Sequence, residues 1–341
     1  MAREQRSHLV VSLGAMLLVS IANAATPITF YFDDQSHYQR EIAAGDVHPY
    51  VITLKTGEFV RFIAQPEDVN IALALESESG NQLVAVDQLD TTSDPETLSA
   101  IVPAGGRYRL LVSVSPKWQK AGSYEVRLDE RRPAVPEDRD RIEAQRLFME
   151  GESVRSPDTA ETLRAAGDLF RRASRLSLSI RDDASASDTL NNVGFVHARL
   201  GESREALDAF LRTLAIRDCL DGQRRRAGVL SNISVVLQDL GQDRKAIAFS
   251  EAALRDPSCD IHVSAISVYM IGQAYSKLGE EKTALLYYLR AENHAVAAGC
   301  GRSRAAGLRA RLVALDRFRG ESRSGTARYA HSTRRSMEEL D

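Results

Sequence analysis

The sequence predicts an α+β protein of more than one domain: an antiparallel β-sandwich or jelly roll, followed by an α-solenoid of stacked helix pairs. Up to Leu128 the chain shows short strand-like runs with no helical period between them. Beyond Arg131 it changes to Ala, Leu, Arg and Glu at helical spacing, with landmarks that recur about every 40 residues. At 341 residues the chain has room for two domains of ordinary size.

Residues 1–24 have the pattern of an export signal. Arg3 and Arg6 precede an apolar run that ends at Ile21, and Ala22-Asn23-Ala24 offers the small-x-small pattern that a signal peptidase cleaves. The run is shorter than the ~20 apolar residues of a membrane-spanning helix. We therefore expect a periplasmic or secreted protein with no integral membrane span after cleavage. An uncleaved N-terminal anchor is the alternative.

Residues 26–132 are predicted to form the β-domain. Turn residues such as Gly57, Gly80 and Gly122 separate short runs that are rich in β-branched and aromatic residues. Strands at this spacing are typical of a sandwich or jelly roll. The predicted strands are 50–54, 59–63, 71–75, 83–86, 108–112 and 124–128.

Residues 138–319 are predicted to form the helical array, and residues 320–341 a basic, disordered tail. A glycine after a leucine is expected to end the first helix of each pair in the left-handed conformation, at Gly201, Gly241 and Gly279. A small residue in each first helix, with a bulkier one three positions later, is expected to let helices approach closely. These pairs are Gly194 with His197, Ser234 with Leu237, and Gly272 with Tyr275. The second helices share a recurring triad: Ala166, Phe170 and Ala173; Ala206, Phe210 and Thr213; Ala246, Ser250 and Ala253; Ala284, Tyr288 and Ala291.

The array resembles the tetratricopeptide repeat (TPR), lengthened to about 40 residues. Leu190-Asn191-Asn192-Val193-Gly194 and Leu230-Ser231-Asn232-Ile233-Ser234 are similar to the opening of the long-loop repeat of kinesin light chains and bacterial CHAT proteins. Residues 44–50, 56–61, 106–108, 122–127, 138–139 and 144–151 are similar to the β-domain and leading helix of secreted CHAT proteins. The resemblance covers nearly all of residues 40–300 and implies a binding protein. The caspase-like peptidase of that family would follow the repeats, where this sequence lacks room for it.

Motifs for catalysis and for cofactors are not found in the sequence. The seven histidines form no HExxH motif and no pair at i and i+4, and there is no GxSxG elbow, phosphate loop or dinucleotide fingerprint. We therefore expect no enzymatic activity, no metal and no cofactor. A net charge of −3 gives no argument for nucleic acid as a partner. Two alternatives stay open: calcium in acidic turns such as Asp33-Asp34, and sugar stacking on Trp118.

Three cysteines recur near the loop that follows each second helix, at Cys219, Cys259 and Cys300. One hypothesis is a disulfide between Cys219 and Cys259 that joins adjacent loops, which requires Cα atoms within ~7 Å. The alternative is three unpaired cysteines.

The first helices are predicted to line a concave groove that binds the partner. The resemblance implies that Asn192 and Asn232 hold a peptide main chain, as groove asparagines of long-loop repeats do, since an amide side chain both donates and accepts. The alternative is that these asparagines bridge helices within the array. Met270 takes the place of a third asparagine. The predicted groove residues are Asp188, Asn191, Asn192, Phe195, Arg199, Ser231, Asn232, Val235, Gln238, Tyr269, Gln273 and Ser276.

The predicted function is that of an exported adaptor or scaffold, which binds a peptide or protein partner in this groove. One alternative is a non-catalytic remnant or subunit of a CHAT-type peptidase system. Another is an envelope carbohydrate-binding module built on the β-domain. The sequence leaves the oligomeric state open.

Overall fold

The computed structural model describes residues 30–33, 36–87, 95–116, 120–220 and 225–297. The predicted export signal, Trp118, Cys300 and the basic tail lie outside these residues. Within the described ranges, no helix has both the length and the apolar character needed to cross a membrane.

Nine described strands form two sheets, and the six predicted strands are confirmed. One sheet has the order β1-β3-β8-β5-β6 and the other β2-β9-β4-β7. The prediction of a purely antiparallel domain is wrong at one edge, because β1 pairs with β3 in parallel. The strands are β1 (Phe30–Tyr31), β2 (His37–Ile42), β3 (Val47–Leu54), β4 (Glu58–Glu67), β5 (Ile71–Ser77), β6 (Gln82–Val86), β7 (Glu96–Ile101), β8 (Gly106–Val114) and β9 (Gly122–Pro133).

The two sheets share one hydrophobic core. Along β5 and β8, buried and partly exposed residues alternate, so that every second side chain points inward. Leu73 and Leu110 from one sheet thereby meet Phe62 and Val126 from the other. Burying side chains of this size stabilises the domain by about 1.5–3 kcal/mol each.

Eight described helices follow, and each packs against the next. Gly201, Gly241 and Gly279 adopt φ of 77°, 69° and 79°, which confirms the predicted helix ends. After each glycine, a backbone N–H returns to the last turn, as from Glu202 to the carbonyl of His197 at 2.9 Å. The helices are α1 (Pro136–Val154), α2 (Ala160–Ser179), α3 (Asp183–Arg199), α4 (Ser203–Arg217), α5 (Arg226–Asp239), α6 (Asp243–Arg255), α7 (Ile261–Lys277) and α8 (Glu281–Ala297).

The small residue in each first helix accommodates a side chain of the second helix. A Cβ on Gly194 would lie 2.6 Å from the ring of Phe210, and one on Gly272 would lie 2.8 Å from that of Tyr288. In the pair α5–α6 both positions are serine, and their Oγ atoms are 2.5 Å apart. Gly194 and Gly272 therefore make room for a ring of the second helix, a role that the repeat pattern did not predict.

The β-domain is joined firmly to α1. The carboxylate of Asp138, 0% exposed, accepts two hydrogen bonds from Arg132, at 2.6 and 2.8 Å, and one from Arg141 at 2.7 Å. Both guanidinium groups lie over the ring of Phe59, at 4.6 and 5.6 Å from its centroid. The N–H of Ser99 in β7 also donates to Gln145 in α1, at 3.0 Å. These contacts fix where the array begins relative to the sheets.

Candidate partner-binding surface

Successive first helices α1, α3, α5 and α7 are linked by side-chain hydrogen bonds, and we call the side chains they present the first-helix surface. Asn192 donates through Nδ2 to Glu152 at 2.8 Å, and Asn232 donates to Asn191 at 3.3 Å. Further along, Lys277 donates to the carbonyl of Gln238 at 3.1 Å. These bonds hold the side chains in place before any partner arrives.

Phe195 is the most exposed apolar residue among those predicted to bind the partner, at 37%. The guanidinium of Arg155 lies 5.2 Å from its ring centroid and pairs with Glu152 at 2.7 Å. On the next turn, Arg199 forms an ion pair with Asp158. An aromatic ring with charged neighbours therefore lies open between α1 and α3.

Sequence reasoning missed the contribution of α1 to this surface. Glu152 precedes Asn192 by one repeat length of 40 residues, and Arg155 precedes Phe195 by the same step. Extending the repeat backwards by one unit would have found both residues.

The predicted asparagines bridge helices, which was the alternative left open by the sequence. Asn191, Asn192 and Asn232 are all partly buried, and each takes part in a hydrogen bond between first helices. An amide held in this way presents its remaining exposed edge in a fixed direction.

Ser231 and Gln238 do not face a ligand, contrary to expectation. They are only 4% and 3% exposed, and Gln238 donates to the carbonyl of Met270 at 2.6 Å. Met270, in the place of a third asparagine, is itself 8% exposed. For Gln238 the cause is α7, which packs against α5 and supplies the carbonyl of Met270. The neighbouring Val235 stays partly exposed.

The α7 end of the first-helix surface is aromatic and polar. Gln273 donates to the hydroxyl of Tyr269 at 2.9 Å, and the ring of Tyr269 lies 5.7 Å from that of Tyr288. Ser276 donates to Glu281 at 3.4 Å. All three predicted residues of α7 are partly exposed.

Asp188 and His197 have surroundings that the sequence did not predict. Asp188 accepts hydrogen bonds from Arg217 at 2.8 Å and Arg225 at 3.3 Å, and it opens onto a separate cleft beside the β-domain. His197, the bulkier residue three positions after Gly194, is partly exposed, and its Nδ1 lies 2.6 Å from the carboxylate of Glu202.

Cys219 and Cys259 are free thiols in the structure, which agrees with the alternative of unpaired cysteines for these two and not with a disulfide between them. Cys219 is exposed just beyond α4. Cys259 is partly buried beyond α6, and its Sγ lies 3.6 Å from the carbonyl oxygen of Asp260. The two sulfur atoms therefore lie in different loops and are not bonded to each other.

The described residues hold no group of three or more histidine, cysteine or acidic side chains that could bind a metal ion.

Fold and surface together define a helical-repeat protein with a β-domain in front. Sequence models of the tetratricopeptide repeat match residues 187–217, which cover α3 and α4, and residues 265–293, in α7 and α8. The chain therefore contains tetratricopeptide repeats on both sides of α5 and α6. No curated protein sequence matches it.

Several solved structures are similar to parts of this chain. Apo RapI has a TM-score of 0.46 and 15% identity over 55% of this chain, which spans about half (51%) of RapI. The repeats of a putative kinesin light chain from Podosopora anserina give 0.39 and 15% over 54% of this chain and 88% of theirs. The pre-peptidase C-terminal domain of a Bacillus anthracis collagenase gives 0.26 and 16% over 31% of this chain and 100% of that domain. None of these likenesses bears on what the chain binds.

Proposed function

We propose that the chain is an exported, non-catalytic scaffold that binds a peptide or a protein segment on its first-helix surface. The tetratricopeptide repeats at residues 187–217 and 265–293 support a binding scaffold. Export rests on residues 1–24 and their signal-like pattern.

The observation that carries the proposal is the exposed ring of Phe195 beside the fixed amide of Asn192. Aromatic and arginine side chains are enriched in protein interfaces, and Phe195 and Arg155 supply one of each in contact. Asn192 donates one N–H to Glu152, which leaves its Oδ1 and its second N–H to meet a peptide main chain. Because hydrogen bonds already order these side chains, binding loses little conformational entropy.

Site-specific photo-crosslinking tests the surface directly. The photoreactive residue p-benzoylphenylalanine replaces Phe195 on α3 in one variant and Leu211 on α4 in the other. The two positions are matched controls because both are exposed apolar residues, at 37% and 43%, on opposite helices of one pair. We expect a discrete partner from the envelope fraction to crosslink at position 195 and not at position 211.

A second experiment substitutes the two asparagines. Asn192→Ala combined with Asn232→Ala in the position-195 variant is expected to reduce the crosslinked yield severalfold, because the amide edges proposed to meet the partner are lost together with the bridges between first helices. Arg212→Ala, on the exposed side of α4, serves as the control. Equal crosslinking at positions 195 and 211, or a yield unchanged by the asparagine substitutions, would contradict the assignment of this surface.

Export has its own test. N-terminal sequencing of the protein from fractionated cells is expected to show a mature chain that begins at Ala25, recovered outside the cytoplasm. A chain that keeps Met1 in the cytoplasmic fraction would contradict export and leave the binding proposal standing.

A further inference from the structure

The second helices α2, α4, α6 and α8 share an exposed basic face, on the helices opposite to those of the first-helix surface. The residue two positions before the recurring alanine of each second helix is basic and exposed in all four. The positions two, five, six and nine after that alanine lie on the same side, because residues spaced three or four apart are neighbours on an α-helix. We call the side chains at these five positions the second-helix face. The basic residues at its first position are Arg164, Arg204, Arg244 and Lys282.

The charge of the second-helix face is opposite in sign to that of the whole chain. Across the four helices its positions hold ten basic and three acidic residues, whereas the chain has a net charge of −3. Two of the three acidic residues pair within the face, Asp168 with Arg171 and Glu251 with Arg255. An excess of positive charge remains after this pairing.

Several arginines of this face have no role in linking helices. Among the residues that the structure describes, Arg164, Arg204 and Arg212 make no ion pair and no side-chain hydrogen bond, and all three are exposed. The arginines of the first-helix surface differ, since Arg155, for example, pairs with Glu152. The charge of the second-helix face is therefore available to a negatively charged partner outside the chain.

Exposed leucines accompany these arginines. Leu211 on α4 is 43% exposed, and Leu286 on α8 is 57% exposed, more than any other large apolar side chain of the described helices. Both belong to the second-helix face, five positions after Ala206 and two positions after Ala284. A soluble polyanion would use the charges and leave these leucines in water. The headgroup region of a bilayer accommodates basic and apolar side chains side by side, as it does for amphipathic helices.

The second-helix face carries no phenylalanine, tyrosine or tryptophan at its positions in the four described helices. Proteins that bind single-stranded nucleic acid without sequence preference stack its bases on aromatic side chains. The composition of the face therefore favours a lipid surface over a nucleic acid.

We propose that the second-helix face binds the surface of a bilayer that contains anionic phospholipids. Its arginines donate hydrogen bonds to the phosphate groups, for which a guanidinium has a matching geometry. Leu211 and Leu286 enter the layer below the headgroups. This contact goes beyond the proposed peptide binding, because it uses the other helix of each pair and leaves the first-helix surface free for its partner.

Vesicle flotation tests the proposal with the mature chain that begins at Ala25, so that the apolar run ending at Ile21 does not contribute. One set of vesicles mixes phosphatidylglycerol and phosphatidylcholine in equal parts, and the other is phosphatidylcholine alone. We expect binding to the mixed vesicles only, weakened as the salt is raised from low to physiological strength. Equal binding to both sets, or tighter binding to a single-stranded oligonucleotide than to the mixed vesicles, would overturn the proposal.

A fourfold arginine variant tests whether the second-helix face carries the binding. We expect its dissociation constant for the mixed vesicles to rise by about tenfold or more, because each basic residue near an anionic surface strengthens binding severalfold. The exposed positions of the four substitutions leave the fold intact. The substitutions are Arg164→Gln, Arg204→Gln, Arg212→Gln and Arg244→Gln.

The matched control removes the same charge from the basic C-terminal tail. It should weaken binding far less than the variant of the second-helix face does. An equal or larger loss in the control would place the lipid contact in the tail and overturn the proposal. The control substitutions are Arg323→Gln, Arg328→Gln, Arg334→Gln and Arg335→Gln.

The leucines distinguish a bilayer from a purely electrostatic contact. Leu211→Gln with Leu286→Gln keeps the charge of the face and should weaken binding to the mixed vesicles severalfold, because apolar burial is lost. Ile266→Gln is the matched control, since Ile266 is 48% exposed on the first helix α7, and it should leave binding unchanged. A double leucine variant that binds like the wild type would overturn the assignment to a bilayer.

Discussion

Gly194 shows how one residue sets the fit between two helices. Its register was predictable, because Gly194, Ser234 and Gly272 recur at one repeat length. Its role was not, because the ring that fills the space comes from Phe210 on another helix. Packing between helices decides which side chain lies against Gly194. The repeat pattern shows only that a small residue recurs at this position.

Gly194→Ala should destabilise the protein by about 1–3 kcal/mol, because the new Cβ would overlap the buried ring of Phe210. Gly228→Ala is the matched control. Gly228 lies in α5 with nothing within 4 Å of its would-be Cβ, so alanine there should stabilise by up to about 1 kcal/mol. Urea unfolding of both variants measures the difference. Equal effects at the two glycines would contradict the packing described.

The two described cysteines should differ in reactivity. Burial, helped by the charges of Asp260 and Asp256, raises the pKa of the Cys259 thiol. Because the thiolate is the reactive form, Cys259 should be alkylated more slowly than the exposed Cys219 at neutral pH. Timed iodoacetamide labelling of unreduced protein, followed by mass mapping, measures both rates. A Cys219–Cys259 disulfide in that map would show that the free thiols described are wrong.

At the scale of elements, the strands and helix ends were the most predictable features. Alternating β-branched runs found six strands, and the leucine–glycine pairs found three helix ends. The strands β1, β2 and β7 were missed. Strand β1 has two residues, and β2 (His37–Ile42) carries mostly polar side chains at a sheet edge, so neither shows a clear hydrophobic pattern.

The junction of β9 and α1 was missed for a different reason. Burial by itself raises the pKa of Asp138. Hydrogen bonds from Arg132 and from the N–H of Val135 outweigh this effect, together with the positive charges of Arg132 and Arg141. The pKa of Asp138 is therefore below its ordinary value of 3.8. Nothing in the local sequence marks Asp138 as different from its acidic neighbours. Its function as a joint depends on Phe59, far away in the chain, lying beneath both arginines.

Asp138→Asn should lower the free energy of unfolding by about 1–3 kcal/mol at neutral pH. A lowered pKa in the folded state means that the carboxylate stabilises the protein at pH values above its unfolded pKa, and that this contribution is lost as the pH falls through the folded pKa. The difference between wild type and variant should therefore be constant near pH 7 and shrink below about pH 4.

Denaturant unfolding of the wild type and of Asp138→Asn across pH 3–8 measures this difference in stability. Asp208→Asn, at an exposed position, is the control. A wild-type advantage that persists undiminished at pH 3 would contradict the assigned role of Asp138.

For the molecule as a whole, the hardest property to predict from the sequence was which side chains are exposed on the binding surface. The spacing of the first helices correctly placed Phe195 and Tyr269 at the surface, where both remain partly exposed. It failed for Ser231 and Gln238, which are buried; Gln238 is held against α7 by its hydrogen bond to Met270. The cleft beside Asp188 could not be predicted from the sequence, because it forms only where β4 and β7 meet the helices. Such sites depend on how domains meet, which local periodicity does not encode.

Hydrogen exchange is the sharpest test of the proposal that a partner binds on the first-helix surface of α1, α3, α5 and α7. The full chain is compared with and without the partner segment identified by crosslinking at position 195. We expect slower exchange in α3, α5 and α7 and in the last turn of α1, with α4 and α6 unchanged. Protection confined to α4 and α6, or to the β-domain alone, would contradict it.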